Sequence, residues 1–243
     1  MADEVQVETS RTGLVVRPPD PAGMAVLYLH GDPSFSGEPE QALEAAERLS
    51  LRTSATVVCA RYRPVFPSAL VDVQTAYHYG QAMGGPVAVA GEGAGAGLAA
   101  ALLIRLRDAG STLPSCTTLV SPLLDLSLQA PSLLFNASAN PEFDLTELRT
   151  RVTRYTADRD LTDPFVSPLH GNLHGLSPVQ LLTAGTDPLL DDALAFAARA
   201  AHSSVSVDLR VHPDAATLRT ETIPAMAAFI RTHTHADHIA RPA

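Results

Sequence analysis

The sequence predicts an α/β fold in which a mostly parallel central sheet is covered by helices on both faces. Short apolar runs alternate along the chain with longer segments of helical period, and breaks rich in Gly, Pro and Asp separate them. This alternation is typical of parallel strands joined by crossover helices. Central runs such as VAVAG and LLTAG also carry apolar residues on both faces. Strands of this kind belong to a sheet that is buried on both sides.

The individual strands and helices are predicted from the spacing of apolar residues along the chain. A short apolar run predicts a strand, and a longer stretch with one apolar stripe predicts a helix. The predicted strands are residues 13–17, 24–30, 55–60, 86–91, 116–121, 179–185 and 205–211. The predicted helices are residues 38–49, 68–83, 93–109, 190–201 and 218–231.

The stretch from residue 124 to residue 168 interrupts the alternation. It contains turn-forming sequences such as QAPS and NASANPEFD around one amphipathic helix, residues 145–155. We therefore expect a small cap insertion, residues 124–168, over the carboxyl edge of the sheet. The whole chain, residues 1–243, is expected to form a single domain around that sheet.

Composition excludes several classes of function. Lys and Arg total 17 against 26 Asp and Glu, and the net charge of −9 repels nucleic acid and anionic membranes. Every basic residue is arginine, which excludes a Schiff-base lysine and a P-loop lysine. Both cysteines lie in apolar runs, which favours buried thiols over a disulfide.

The apolar segments are too short for a membrane span of ~20 residues. The first residues also lack the basic and then apolar layout of a signal peptide. We therefore expect a cytoplasmic protein without nucleic-acid or membrane partners.

Four strand ends carry the residues expected to line the ligand crevice of a parallel sheet. They are HGDPSFSG at 30–37, GEGAGAG at 91–97, GTDPLLDD at 185–192 and VHPDAAT at 211–217. Together with YR at 62–63, FPSA at 66–69 and SPL at 167–169, these segments resemble, in this order, the α/β-hydrolase fold and its hormone-sensitive-lipase-like esterases. Several weak motifs in the right order are more specific than any one of them. The resemblance runs from about residue 24 to residue 230 and implies an α/β-hydrolase fold with a reduced cap.

The resemblance also implies a degenerate catalytic triad. Family members present a serine in a G-x-S-x-G turn, and a histidine oriented by an aspartate activates it. Here Gly93 stands at the serine position and Thr217 at the histidine position, while Asp187 matches the aspartate. A register shift that brings His212 into the place of the base stays open. We therefore expect no ester hydrolysis through an acyl-enzyme.

The oxyanion hole is expected to be damaged as well. In the resembled family its donors are the amides of an HGGG loop and the amide that follows the nucleophile. Ala94 keeps the last of these amides. After His30 and Gly31, however, Asp32 and Pro33 replace the glycines. The negative charge of Asp32 opposes an oxyanion, and Pro33 has no N–H to donate.

Carboxylates around this turn supply the candidate chemistry. Asp32, Glu92 and Asp187 are the candidate catalytic residues, because paired carboxylates in a desolvated cleft act as acid and base. Structural alternatives are that Glu92 holds the turn and that Asp187 caps a helix. The candidate ligand-binding residues are His30, Gly31, Tyr62, Gly93, Ala94, His212 and Thr217. For His30 and Tyr62 the alternative is support of the loop geometry.

The expected function is non-hydrolytic chemistry, such as cyclisation, elimination or isomerisation, on an apolar small molecule in specialised metabolite biosynthesis. Two alternatives stay open. One is a catalytically inactive protein that binds a ligand, and the other is a weak hydrolase that uses water activated at His212 or Asp187. Pairing into a homodimer also stays open.

Two motifs point to cofactors and are set aside. The glycines of GEGAGA fit a dinucleotide fingerprint, but the following strand ends without the acidic residue that binds a ribose. The tail after Arg231 carries three histidines and an aspartate, which a solvated terminus explains better than a metal site. We therefore expect neither a cofactor nor a metal.

Overall fold

A computed structural model describes residues 5–31, 35, 37–141 and 143–239 of the chain. The strands in this part of the chain are β1 (Gln6–Ser10), β2 (Gly13–Arg17), β3 (Ala25–Leu29), β4 (Thr56–Ala60), β5 (Val87–Glu92), β6 (Thr117–Val120), β7 (Val179–Ala184) and β8 (Val207–His212). They form one sheet in the order β1-β2-β4-β3-β5-β6-β7-β8. The strands from β3 to β8 pair in parallel, and β1 and β2 form an antiparallel edge. The predicted mostly parallel sheet is therefore confirmed.

Helices cover both faces of the sheet, as the sequence predicts. They are α1 (Leu43–Thr53), α2 (Ser68–Gln81), α3 (Gly93–Asp108), α4 (Ser132–Phe135), α5 (Leu145–Thr156), α6 (Leu190–His202) and α7 (Ala215–Ile239). Side chains of α1 and α7 form one buried core with the sheet, and those of α2, α3 and α6 form the other. Helices α4 and α5 lie in the segment 124–168.

The sheet strands are buried because apolar residues occupy both of their faces. Every residue of β3, β4 and β7 is buried. Helix α3 packs closely under the sheet, because its first half consists of Gly, Ala and Leu and its residues from Ala94 to Ile104 are all buried. Both cysteines are buried too, and burial raises the pKa of Cys59 to about 12.

Several elements differ from the sequence prediction: α1 spans Leu43–Thr53 where residues 38–49 were predicted, α4 was not predicted, and two more differ at the ends of the chain. Strand β1 was not predicted, because four of its five residues are exposed and it has no apolar run of its own. The tail after Arg231 was expected to be solvated chain, but α7 continues through it to Ile239. The side chains of Thr232 and Thr234 donate hydrogen bonds to carbonyls one turn earlier, and Thr234 is buried. Hydrogen bonds within α7 and the burial of Thr234 therefore accompany a helix extension that composition did not predict.

Among the described residues, no helix is both long enough and apolar enough to cross a bilayer.

Candidate functional site

A cleft of about 1130 Å³ opens at the carboxyl edge of the sheet. Four strand ends contribute to its wall: Gly31 after β3, Gly93 after β5, Ser121 after β6 and Asp187 after β7. Helices α1, α5 and α7 and the segment before α5 supply much of the remaining lining. This is the place where ligands bind in open parallel sheets. The strand ends therefore define the candidate site.

The turn between β5 and α3 keeps a backbone that suits glycine. Gly93 begins α3 with a φ of +50°, in the left-handed region that L side chains rarely adopt. A Cβ atom at this position would lie 3.1 Å from the carbonyl oxygen of Gly31. The turn has no side chain at its apex, so it leaves open the space where the resembled esterases carry their serine.

The loop after β3 lies against this turn because Gly31 also lacks a side chain. A Cβ atom on Gly31 would overlap the backbone carbonyl of Glu92. On the other side of the turn, the amide of Leu123 donates to the carbonyl of Gly93 at 3.1 Å. Backbone contacts on both sides therefore hold the turn in place.

The first turn of α3 borders the cleft with its free amides. The first four N–H groups of a helix have no acceptor within that helix, and the helix dipole makes this end positive. Ala94 is the second residue of α3 and lines the cleft. Its amide is therefore suited to hold the oxygen of a polarised carbonyl, as the sequence predicts for this residue.

The Asp187 carboxylate is fixed through both of its oxygens. Oδ1 accepts the amide hydrogen of Leu189 at 2.9 Å, and Oδ2 accepts the hydroxyl hydrogen of Ser121. The side chain of Asn136, at the end of α4, donates to the backbone carbonyl of Asp187 at 2.9 Å. The bond to Leu189 closes a turn just before α6, whose N-cap is Leu189 and has no side-chain cap hydrogen bond. The other oxygen faces a hydroxyl in the cleft.

Ser121 is the residue of this site that the sequence analysis missed. Its position directly after a parallel strand was the available signal, because such positions line the crevice. The triad motif instead indicates the turn after β5, where Gly93 has no hydroxyl. The hydroxyl is that of Ser121, at the end of the neighbouring strand β6.

Glu92 lines the cleft but has a partner in the core. The hydroxyl of Tyr28, which is 1% exposed, donates a hydrogen bond to Oε1 of Glu92. Burial, and then the negative charge of Glu92, raise the pKa of Tyr28 well above its usual value. The phenol therefore stays a donor, and the structural alternative for Glu92, a side chain that holds the turn, has direct support.

Two of the candidate ligand-binding residues support the loop after β3 and are absent from the cleft wall. The ring of His30 lies 3.0 Å from Oε1 of Gln41, and its carbonyl accepts the hydroxyl hydrogen of the buried Tyr62. Neither side chain lines the cleft in the described part of the chain. Asp32 and Pro33 lie outside the described residues.

His212 and Thr217 are also absent from the cleft wall in the described part of the chain. Parallel pairing sets His212 opposite Ala184 at the end of β8, and its carbonyl accepts the amide hydrogen of Gly185 at 2.7 Å. Its Nε2 atom is buried and has no hydrogen-bond partner among the described residues. Thr217 lies in the first turn of α7, where its amide donates to Asp214. Sheet pairing thus fixes the backbone of His212 at the end of β8, and its side chain is not among the described residues that line the cleft.

The described part of the chain contains no group of three or more His, Cys, Asp or Glu side chains that could hold a metal ion. The ring of His233 instead contacts the carbonyl of Phe229 at 2.9 Å, one turn earlier in α7.

Asp192, in the first turn of α6, connects this helix to the loop after β6. Its side chain is 3% exposed and accepts the amide hydrogens of Leu124 at 2.7 Å and Asp125 at 3.0 Å. Burial raises the pKa of Asp192 to about 6, although the two amides oppose this shift. The folded protein therefore holds a proton between about pH 4 and pH 6 that the unfolded chain has already lost.

We expect this proton to make stability depend on pH. A raised acid pKa stabilises the fold fully at low pH, and the contribution is lost as the pH rises through 6. The loss is on the order of 3 kcal/mol at 1.4 kcal/mol per pKa unit. Urea unfolding of the native protein and of Asp192→Asn, which stays neutral and keeps an acceptor, measures it. The native protein should lose stability relative to the variant between pH 4 and pH 7, and a constant difference would contradict the assignment.

Comparison with known proteins gives a consistent set of relatives. A family described as alpha/beta hydrolase fold matches residues 26–216. An acetyl-hydrolase of Streptomyces hygroscopicus is 34% identical over 206 residues, 82% of this chain and 69% of the relative. An esterase of Acinetobacter venetianus is 29% identical over 86% of this chain and 68% of the relative.

Solved structures of esterases are also similar to this chain. A crystal structure of EstE5 soaked with p-nitrophenyl butyrate has a TM-score of 0.87 and 28% identity, covering 96% of this chain and 86% of that chain. An esterase of the bacterial hormone-sensitive lipase family has a TM-score of 0.88 and 26% identity over the same shares.

The relatives correct the expected reaction. Those compared above are named as hydrolases or esterases, or come from a structure soaked with an ester, and a further relative is an ethyl acetate hydrolase of Pseudomonas putida. The prediction of cyclisation, elimination or isomerisation in specialised metabolism is therefore wrong, and so is the alternative of an inactive ligand-binding protein. The expectation failed because it equated a missing serine at Gly93, a missing histidine at Thr217 and a damaged oxyanion hole with the loss of hydrolysis.

Proposed function

Because the chain belongs to the α/β-hydrolase family, and within it resembles the hormone-sensitive-lipase-like esterases, we propose that this enzyme hydrolyses esters of short-chain carboxylic acids. Relatives named acetyl-hydrolase and ethyl acetate hydrolase support this class of substrate. The observation that carries the proposal is the Asp187 carboxylate, which lies in the wall of the same cleft as the amide of Ala94. A proton acceptor and an oxyanion donor thus face one space.

Apolar side chains in the cleft wall offer a binding surface for an acyl group. Leu123, Leu148 and Ile223 line it together with Val120, and each of these side chains is buried. Such walls favour a small uncharged ester over water. With the acyl chain among them, the ester carbonyl would point toward the first turn of α3.

Two groups of the chain supply catalysis in this scheme. The amide of Ala94 donates to the carbonyl oxygen, and this bond strengthens as negative charge develops on the oxygen. Asp187 accepts the proton of the attacking O–H group and returns it to the leaving alcohol. Because Gly93 has no hydroxyl, the attacking group is a water molecule or a hydroxyl elsewhere in the cleft.

Hydrolysis of p-nitrophenyl acetate and p-nitrophenyl butyrate tests the proposal. We expect turnover by the native protein and a loss of roughly 100-fold or more in Asp187→Asn, since a general base contributes about that much. Asp158→Asn is the matched control, because Asp158 is exposed and has a φ of +65°, which Asn tolerates. Absence of turnover in the native protein, or equal rates in both variants, would reject the proposal.

A further inference from the structure

Ser121 stands beside the empty apex of the turn after β5. Strands β5 and β6 pair in parallel with Glu92 opposite Val120. The next residue of each strand is therefore Gly93 on one side and Ser121 on the other. Adjacent strands lie about 4.8 Å apart. A hydroxyl thus stands about one strand spacing from the position where the resembled esterases carry theirs.

The backbone of Ser121 resembles that of the turn it adjoins. Its φ is +42°, in the left-handed region that also holds Gly93 at +50°. Non-glycine residues seldom adopt this conformation, and they concentrate at functional sites. The amide of Ser121 donates to the carbonyl of Leu182 at 2.8 Å, so sheet pairing is kept up to this residue. The strand therefore ends in a sharp turn that presents a serine to the cleft.

The hydroxyl of Ser121 has a proton acceptor in place. It donates to Oδ2 of Asp187, whose other oxygen is held by the amide of Leu189. A hydroxyl bonded to a base that a third group orients is the arrangement of an activated nucleophile. Catalytic triads are recognised by such geometry and not by the position of the residues in the sequence.

On the premise of the ester hydrolysis proposed above, we propose that Ser121 is the nucleophile and that Asp187 is its general base. Ser121 Oγ bonds to the carbonyl carbon of the ester, and its proton passes to Asp187. The carbonyl oxygen takes the negative charge and accepts the amide hydrogen of Ala94. The bond to the alcohol oxygen then breaks, and that oxygen leaves with the proton from Asp187.

Water completes the reaction. It bonds to the carbonyl carbon of the acylated Ser121 while its proton passes to Asp187. The bond between that carbon and Ser121 Oγ breaks, and Oγ takes the proton back. One ester and one water thus give one acid and one alcohol, with no other reactant.

Covalent trapping tests the assignment. The native protein is mixed with p-nitrophenyl acetate, quenched in acid and digested, and separately treated with a fluorophosphonate. We expect one acetyl group and one phosphonyl group on Ser121 by peptide mass spectrometry. Ser121→Ala is expected to lose both adducts and roughly 1,000-fold or more of the turnover.

Two variants separate chemistry from folding. Ser121→Gly removes the strain of a side chain at a left-handed φ. It should be as inactive as Ser121→Ala, but its melting temperature should be at least that of the native protein. Ser204→Ala is the matched control, because Ser204 is an exposed serine with a φ of +61°. It should keep full turnover and labelling of Ser121.

The outcomes distinguish the two proposals. Turnover without an adduct on Ser121, or turnover kept in both Ser121 variants, overturns the nucleophile and leaves ester hydrolysis standing. Labelling of Ser121 by the fluorophosphonate without turnover of either ester supports the nucleophile and rejects the proposed substrates. Neither labelling nor turnover rejects both.

Discussion

Gly31→Ala is expected to destabilise the protein by more than ~4 kcal/mol, the range reached only by severe steric or polar defects. The added Cβ would overlap the carbonyl oxygen of Glu92, and the amide of Gly95 is close to the same point. All of these atoms belong to backbone at the start of α3, so no flexible side chain can move aside. The loop after β3 must therefore leave the turn, and the cleft loses one wall.

Gly80→Ala is the matched control for this substitution. A Cβ on Gly80, inside α2, would meet its nearest neighbours at an ordinary 3.7 Å. Alanine in a helix interior is favoured over glycine by about 0.5–1 kcal/mol. Urea unfolding should therefore show a more stable Gly80→Ala and a strongly destabilised Gly31→Ala. Equal stabilities of the two variants would show that the loop after β3 does not lie against the turn.

Ala94→Pro is expected to lower ester turnover by roughly 100-fold to 1,000-fold, the usual cost of removing one oxyanion donor. Proline has no N–H, but its fixed φ suits the first turn of a helix, where the amide has no intrahelical acceptor. The ester carbonyl oxygen would thus lose its proposed hydrogen-bond donor, while α3 still begins at Gly93.

Rates and melting temperatures of Ala94→Pro separate these effects. A loss in kcat with a small change in melting temperature supports the oxyanion role. Native turnover in a folded variant would show that another donor holds the carbonyl oxygen. A variant that unfolds at low temperature would show that this amide supports α3, against the assignment.

Much of the fold was predictable because burial leaves a pattern in the residues. Strand β2 begins and ends where it was predicted, at Gly13 and Arg17, and the other predicted strands are placed to within two residues. Helix α3 was predicted from Gly93 onward because its apolar residues continue from the turn after β5. Strand β1 was not predictable in this way, since partner strand β2 supplies its hydrogen bonds and its own side chains are exposed.

The site was predictable only where a residue stood in a motif. Asp187 and Ala94 were identified in this way, and both line the cleft. Thr217 and His212 were placed near the site by alignment along the chain, but neither is among the described residues that line the cleft, although Leu218 next to Thr217 is.

The sequence by itself determined an α/β sheet with helices on both faces, a turn without a serine at Gly93, and an aspartate after β7. Only the tertiary structure decided that the Ser121 hydroxyl meets the Asp187 carboxylate and that Tyr28 engages Glu92. The physical reason is that apolar periodicity is a local property of the chain, whereas these hydrogen bonds join residues 66 and 64 positions apart. Parallel pairing of strands at one sheet edge is what brings such residues together.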